Sequence, residues 1–135
     1  MRTIYFTLVI LLFSCSDSEQ DSSCIPLVFD KDLYHELDHF GIDLIEYDLN
    51  NNCLKVRLGF SGCSSDHTFD LMSQGIETLM EPYSMTCDFY DHNPELCEAY
   101  FIVDREFDIS PIRERYDQGQ ILVTFRNNEG FFTVK

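Results

Sequence analysis

An alternation of apolar and polar residues, clearest from residue 53 to residue 60, is the feature that most constrains the fold. Apolar Leu54, Val56 and Leu58 alternate there with Lys55 and Arg57, which is the period of a strand with one buried face. Further strand-like segments recur about every ten residues, and one of them, at 99–107, is apolar on both faces at its start. They lie at residues 42–48, 85–90, 99–107, 121–126 and 131–134. About seven or eight such strands predict an all-β fold, either a single antiparallel sandwich of the immunoglobulin-like kind or a barrel.

The pattern is weaker elsewhere in the same region. His67 and Phe69 share one face of a further predicted strand, and residues 75–80 form another that ends at Pro82. Ser110, which precedes a proline, is typical of a helix N-cap, so a short helical turn is predicted there.

One short helix is predicted ahead of the strands. Asp30 is a typical N-cap residue, and Gly41 is a typical residue just after a helix end. Between them, Leu33, Leu37 and Phe40 occupy positions i, i+4 and i+7, which places three apolar side chains on one helix face. This face is expected to pack on the sheets.

The first fourteen residues have the pattern of an export signal. Arg2 is followed by an apolar run at residues 4–13, which is shorter than the roughly 20 residues that span a bilayer. The sequence Leu-Phe-Ser-Cys at positions 12–15 resembles a bacterial lipobox, with a small residue directly before the cysteine. We therefore expect cleavage before Cys15 and a covalent lipid on Cys15. Plain secretion without a lipid is the alternative.

The residues after Cys15 are polar and acidic. The Ser-Asp-Ser-Glu tract that begins at residue 16 resembles the export tract of surface-exposed lipoproteins in the Bacteroidota type of envelope. Such a composition buries too little apolar area to fold. We predict a signal peptide at residues 1–14, an acidic disordered tether at 15–23 and a β-sandwich domain at 24–135. The predicted location is the outer membrane, with the membrane as a partner through the lipid and the domain exposed at the cell surface.

The net charge limits the partners of this domain. The chain carries a formal charge of −15 at pH 7. It therefore repels phosphate backbones and anionic polysaccharides, which makes nucleic acid a poor partner. Cations or basic protein surfaces fit the charge better.

Cysteine pairing follows from the export prediction. Lipidation of Cys15 leaves 6 − 1 = 5 cysteines, and an oxidising compartment favours disulfides between them. Five ways to choose the leftover thiol and three pairings of the other four give 5 × 3 = 15 connectivities. The candidates for pairing are Cys24, Cys53, Cys63 and Cys97, and the candidate for a buried free thiol is Cys87, which lies between Met85 and Phe89 on one strand face.

Two segments carry an individual motif. Gly62 and Cys63 are followed by His67, and His92 is followed by a Cys-Glu pair that begins at Cys97. This motif pair resembles a group of small Bacteroidota lipoproteins with a Gly-Cys…His strand turn and a later Cys-Glu, over roughly residues 52–112. The group has no settled function. The resemblance implies a fold and an envelope location, and it implies no catalytic residues.

Three interpretations of this motif compete. Cys63 and Cys97 lie beside predicted strand ends, where the Cβ atoms can reach the separation that a disulfide needs. Alternatively, Cys63, His67, His92 and Cys97 bind a tetrahedral zinc ion. In the third interpretation nothing joins them, and His67 is a hydrogen-bonded histidine beside Phe69. The oxidising compartment favours the disulfide, with Cys24–Cys53 as the second bond.

No catalytic residues emerge from the sequence. Asp88, Asp91 and Glu95 approach the composition of a calcium loop but lack the EF-hand spacing, so we interpret them as part of a solvated loop. The sequence thus predicts a non-enzymatic, lipid-anchored binding or accessory module, with no cofactor other than the covalent lipid. The alternative is a zinc-binding protein that uses the Cys/His set.

Overall fold

A computed structural model describes residues 24–37, 41–117, 119–126 and 130–135. These residues form strands and two short helices, which we number in chain order. The elements are β1 (Ile25–Pro26), β2 (Val28–Phe29), α1 (Lys31–Glu36), β3 (Ile42–Asn50), β4 (Cys53–Gly62), β5 (Phe69–Ile76), β6 (Tyr83–Asp91), β7 (Ala99–Asp108), α2 (Ser110–Arg115), β8 (Ile121–Phe125) and β9 (Phe131–Val134).

The strands form two sheets that share one apolar core. The first sheet has the strand order β1-β7-β4-β3, and the second has the order β2-β5-β6-β8-β9. Side chains from both sheets meet in a single buried cluster. The all-β prediction is confirmed in its sandwich form, since the described strands do not close into a barrel. Three parallel pairs, β1–β7, β2–β5 and β6–β8, add to the antiparallel framework that the sequence predicted.

Strand β4 follows the predicted alternation along its length. Its apolar residues are buried, while Lys55 and Arg57 point outward and face their register partners Glu106 and Asp104 on β7. The Lys55 ammonium lies 3.1 Å from Glu106, and the Arg57 guanidinium 2.9 Å from Asp104. Exposed ion pairs contribute about 0–1 kcal/mol each, whereas one buried leucine contributes roughly 1.5–3 kcal/mol. The buried face, more than the ion pairs, therefore sets the register.

The chain enters the sandwich by crossing from one sheet to the other. Strand β1 pairs with β7 in the first sheet, and β2 pairs with β5 in the second. Leu27 lies between them, is buried in the core, and donates its N–H to the Asp108 carbonyl at 2.9 Å. Pro26 lies in the edge strand β1, as its lack of an N–H requires and as the sequence predicted.

Helix α1 begins where the sequence predicted but ends earlier. The Asp30 carboxylate accepts a hydrogen bond from the Leu33 N–H at 2.9 Å, which confirms Asp30 as the N-cap. The C-cap is Leu37, so the prediction that Gly41 follows the helix end is wrong. The prediction for Phe40 lies outside the described residues.

The buried residue of α1 is Tyr34, and not the predicted leucine face. Tyr34 is fully buried, and its hydroxyl accepts a hydrogen bond from Arg126 Nε at 3.2 Å. The Arg126 guanidinium also lies 4.4 Å from the Tyr34 ring centroid, and 3.8 Å from the buried Asp88 carboxylate. Asp88 is thus beside the contacts that hold α1, which corrects its assignment to a solvated loop.

Three local predictions between residues 67 and 110 are wrong. Of the strand expected at 75–80, only residues 75 and 76 are in a strand, as the end of β5, where the register shifts between Ser73 and Ile76. Gly75 lies in this bulge with φ +106°, a backbone conformation that favours glycine. His67 precedes β5 and does not belong to it, and Ser110 is the first residue of α2, whose N-cap is Ile109.

Candidate functional site

A disulfide lies at each end of β4. Cys24 is bonded to Cys53, the first residue of the strand, with Cα atoms 6.2 Å apart. Cys63, which directly follows the strand, is bonded to Cys97 with Cα atoms 4.9 Å apart. Both predicted pairings are therefore present. The second bond forms because β4 and β7 are antiparallel neighbours whose ends, where Cys63 and Cys97 lie, are side by side.

Among the described cysteines, the free thiol is where the sequence predicted. Cys87 lies on the inner face of β6 and is fully buried. Burial raises the pKa of the Cys87 thiol to about 12, because the thiolate is poorly solvated there. A hydrogen bond involving Ser73 acts in the opposite direction and is outweighed. The Cys87 thiol is therefore protonated at neutral pH and a poor nucleophile.

His67 lies at the second disulfide, buried between aromatic rings. Its ring centroid is 4.6 Å from that of Phe60 and 6.2 Å from that of Phe69. Its side chain is 1% exposed, and both ring nitrogens contact carboxylates. Nδ1 lies 2.6 Å from Asp91 Oδ2, and Nε2 lies 3.2 Å from Glu95 Oε2. We call these three side chains the His67 network.

Two opposing influences act on the pKa of His67. Burial lowers the pKa of the imidazole, while the hydrogen bonds to Asp91 and Glu95 raise it. The hydrogen bonds prevail, so the pKa is raised above the ordinary value of 6.5. In the protonated form each ring N–H donates to one carboxylate, which satisfies both nitrogens.

Glu95 joins the network to the turn after β4. Its Oε2 accepts the backbone N–H of Cys63 at 2.7 Å, and this bond, followed by the bond from His67, lowers the pKa of the carboxyl. Asp91 Oδ1 accepts the N–H of Asn93 at 2.9 Å. Asp91 and Glu95 are therefore structural acceptors. The assignment to a solvated loop is wrong for Asp91, which is half-buried at the end of β6, whereas Glu95 lies in an exposed loop as predicted.

Gly62 explains why a glycine precedes the cysteine of the motif. A Cβ atom built on Gly62 would lie 2.9 Å from His67 Nε2 and 3.0 Å from His67 Cε1. The His67 ring is held by two carboxylates and two aromatic rings, so it has little room to move. Only glycine permits this approach of strand and imidazole.

The zinc prediction for Cys63, His67, His92 and Cys97 is wrong. The two sulfur atoms are bonded to each other, whereas a cysteine binds zinc only as a free thiolate. His92 Nε2 contacts Asp70 Oδ2 at 2.7 Å, and His92 belongs to no described group of three ligand atoms within 4.8 Å of one another. The disulfide interpretation is therefore correct, and His67 is in addition hydrogen-bonded, as the third interpretation predicted for this histidine.

One other group has the residue types of a metal site. Among the residues that the structure describes, Cys24, Cys53 and Glu106 place potential ligand atoms within 4.8 Å of one another. Because Cys24 and Cys53 are bonded to each other, they too lack thiolates. The group is therefore a disulfide beside a carboxylate.

A cleft of about 580 Å³ opens between α1 and the segment of residues 92–97, beside the His67 network. This volume lies within the range of about 300–1,000 Å³ that is usual for ligand pockets. None of the described lining residues is a lysine or an arginine. The apolar lining comes from Leu33, Leu37, Ile42, Phe60, Phe89, Pro94 and Leu96, and the acidic lining from Glu36, Asp91 and Glu95.

The outer face of the first sheet carries a shallower groove of about 310 Å³. Its lining alternates in charge, and Arg57 contacts both Glu46 and Asp104, at 3.2 Å and 2.9 Å. The hydrogen bond from Arg57 lowers the pKa of Asp104, which keeps that carboxylate ionised. With its charges paired in this way, the groove resembles an ordinary solvated sheet face.

Comparisons with known proteins inform the fold. No family model matches the chain, and no curated protein matches it. A crystal structure of a candidate toxin-related protein from Parabacteroides distasonis is similar, with a TM-score of 0.50 and 10% sequence identity. The similarity covers 82% of this chain and 59% of that one, so this chain spans about three fifths of the other. At this identity the similarity shows the fold alone.

The described ranges contain only short helices. No helix there is long and apolar enough to cross a bilayer.

Proposed function

We propose that this protein is a lipoprotein anchored in the outer membrane through Cys15, whose sandwich domain is a non-enzymatic binding or accessory module at the cell surface. The observation that carries the proposal is the sequence Leu-Phe-Ser-Cys at positions 12–15, at the end of an apolar run. Cleavage there makes Cys15 the first residue and the site of the lipid.

The disulfides of the folded domain support an exported location, and the proposed anchor sets how far the domain can lie from the membrane. Both disulfides suit an oxidising compartment, since they are rare where thiols are kept reduced. Cys24, the first described residue, lies 24 − 15 = 9 residues after the proposed lipid. Nine residues reach at most about 30 Å, which keeps the domain near the membrane surface.

The state of the reactive side chains supports a binding role. Catalysis by cysteine needs a thiolate with a base beside it, and Cys87 has the raised pKa described above. The imidazole of His67 is bonded through both nitrogens to carboxylates. The cleft, in contrast, offers apolar walls and acidic groups, which suits recognition of a basic partner by a chain with a charge of −15.

Metabolic labelling with a clickable palmitate analogue in the source cells tests the proposal. We expect label on the wild type and none on Cys15→Ala, which remains unprocessed or is released. Cys87→Ala serves as the matched control, since it removes a buried cysteine and should keep the label. Equal labelling of the wild type and Cys15→Ala would contradict the anchor.

A further inference from the structure

Leu96 is an apolar side chain held in solvent between two fixed neighbours. It is fully exposed. Glu95 before it accepts a hydrogen bond from the Cys63 N–H and is hydrogen-bonded to His67, and Cys97 after it is in a disulfide. Single exposed leucines are common on protein surfaces. This one also lines the cleft, so its apolar surface is continuous with the apolar wall. Because its backbone is held on both sides, only the side-chain rotamers of Leu96 remain to be ordered when a partner covers it.

The acidic side of the cleft adds a second requirement. Glu36 on α1 is exposed, and Asp91 and Glu95 line the opposite side. The hydrogen bonds of His67 occupy one oxygen of Asp91 and one of Glu95, while Glu36 lies on the other element. The cleft therefore attracts cations and repels anions.

Resting on the binding role proposed above, we infer that this cleft docks a basic segment of a partner protein, one that carries a lysine or arginine beside an apolar residue. The apolar residue packs on Leu96 and the leucines of α1, and the cation lies near Glu36 and Glu95. A polypeptide fits better than a small amine, because an occupant must extend beyond the cleft to cover the exposed Leu96.

Fluorescence anisotropy with a synthetic probe tests this inference. The probe is a fluorescein-labelled peptide with two lysine–leucine pairs in a glycine/serine background, and the matched peptide has glutamate in place of lysine. The protein is the processed full chain, purified from the envelope or, if it is released, from the medium. We expect saturable binding of the lysine peptide and none of the glutamate peptide.

Exposed substitutions locate the binding site. Leu96→Ser should weaken binding about tenfold, since it removes the exposed apolar contact without adding a charge and leaves the remaining walls intact. Glu36→Gln should weaken binding about threefold, as expected for an exposed charge. Glu114→Gln on α2 is the control, because it is exposed, lies outside the cleft and removes the same charge. It should leave binding within twofold, roughly, of the wild type. Near-ultraviolet circular dichroism confirms that each variant is folded.

Three results would overturn the inference. One is equal weakening by Glu36→Gln and Glu114→Gln with no effect of Leu96→Ser, which would mean attraction by net charge alone. The second is absence of binding of the lysine peptide, and the third is tighter binding of a free apolar amine such as hexylamine than of the peptide. Since the assay uses anchored or released protein equally, its failure is separate from failure of the Cys15 anchor.

Discussion

At the start of β4, the Cys24–Cys53 bond holds the segment through which the chain enters the sandwich. That segment forms two strands of two residues each, and the bond fastens it to a ten-residue strand. At the other end, the Cys63–Cys97 bond is surrounded by Asp91, Glu95 and a buried imidazole, and beside it lies the cleft. The same covalent link thus serves to fasten the chain at one end and to position a polar network at the other.

The difference shows that the neighbours of a disulfide, more than the bond itself, indicate its role. The sequence separations of the two bonds are 29 and 34 residues. On the chain-entropy model, these loops give nearly the same stabilisation, about 3.5–4 kcal/mol each. Thermodynamic stability should therefore not distinguish the two ends, whereas binding should.

The largest expected effect is the loss of either disulfide. Replacing both Cys24 and Cys53 by alanine, or both Cys63 and Cys97, should lower the free energy of unfolding by about 3.5–4 kcal/mol in each case. Urea denaturation of the oxidised proteins measures this. A difference of more than about 2 kcal/mol between the two double variants would break the equivalence of the ends, because enthalpic contributions would then dominate at one of them.

The pairing of the cysteines was predictable because strand ends are visible in the sequence. Cys63 follows the strongest alternation in the chain and Cys97 precedes another, so both lie in loops at strand ends. Cys87 has apolar neighbours at the period of a strand, which places it inside. These inferences need only local pattern and the chemistry of an oxidising compartment.

The His67 network was not predictable from the sequence. His67 meets Asp91 and Glu95 across separations of 24 and 28 residues, and only the pairing of β5 with β6 brings them together. Alternation gives the period of a strand but not its partner, so the three parallel pairs were missed for the same reason. The glycine before Cys63 was the one available signal, because a residue without a Cβ indicates a close approach.

Substitution of the glycines of β4 should have a smaller effect on the free energy of unfolding than loss of a disulfide. Gly62→Ala should lower the free energy of unfolding by about 1–3 kcal/mol, because the new methyl group meets the fixed ring of His67. Gly59→Ala is the matched control. Its methyl group meets the hydroxyl end of Tyr100, which is exposed and can move into solvent, so the cost should be under about 1 kcal/mol. Equal costs in thermal or urea unfolding would show that His67 is not held rigidly.

The N-cap of α1 stabilises the helix that lines one side of the cleft. Asp30→Ala should lower the free energy of unfolding by about 1 kcal/mol, since it removes the acceptor for the Leu33 N–H. Asp30→Asn keeps an acceptor and should cost little. Urea unfolding of the two variants decides the point, and an equal loss for both would assign the effect to charge and not to the cap.

The smallest expected effect is a pH dependence of stability at the cleft end. The pKa of His67 is raised above 6.5, so its stabilising contribution is complete below pH 6.5 and is lost as the pH rises through the raised pKa. The pKa of Glu95 is lowered below 4.5, so its contribution is complete above pH 4.5 and is lost as the pH falls through the lowered pKa. The His67 network should therefore be most stabilising between pH 4.5 and pH 6.5.

Urea unfolding at a series of pH values tests this window. His67→Gln should remove the decline above pH 6.5, because glutamine does not titrate, while His92→Gln should retain it. A decline that persists unchanged in His67→Gln would assign it to other groups.

Peptide binding by the two double-cysteine variants tests the comparison of the two ends most directly. The lysine–leucine probe should bind the Cys24→Ala/Cys53→Ala protein within about twofold of the wild type, because the cleft and the His67 network stay intact. It should bind the Cys63→Ala/Cys97→Ala protein at least about tenfold more weakly, because the segment that carries Leu96 is released. Circular dichroism confirms folding of both proteins at the assay temperature. Equal binding by the two variants, or a larger loss in the Cys24/Cys53 variant, would contradict the assignment of binding to the Cys63–Cys97 end.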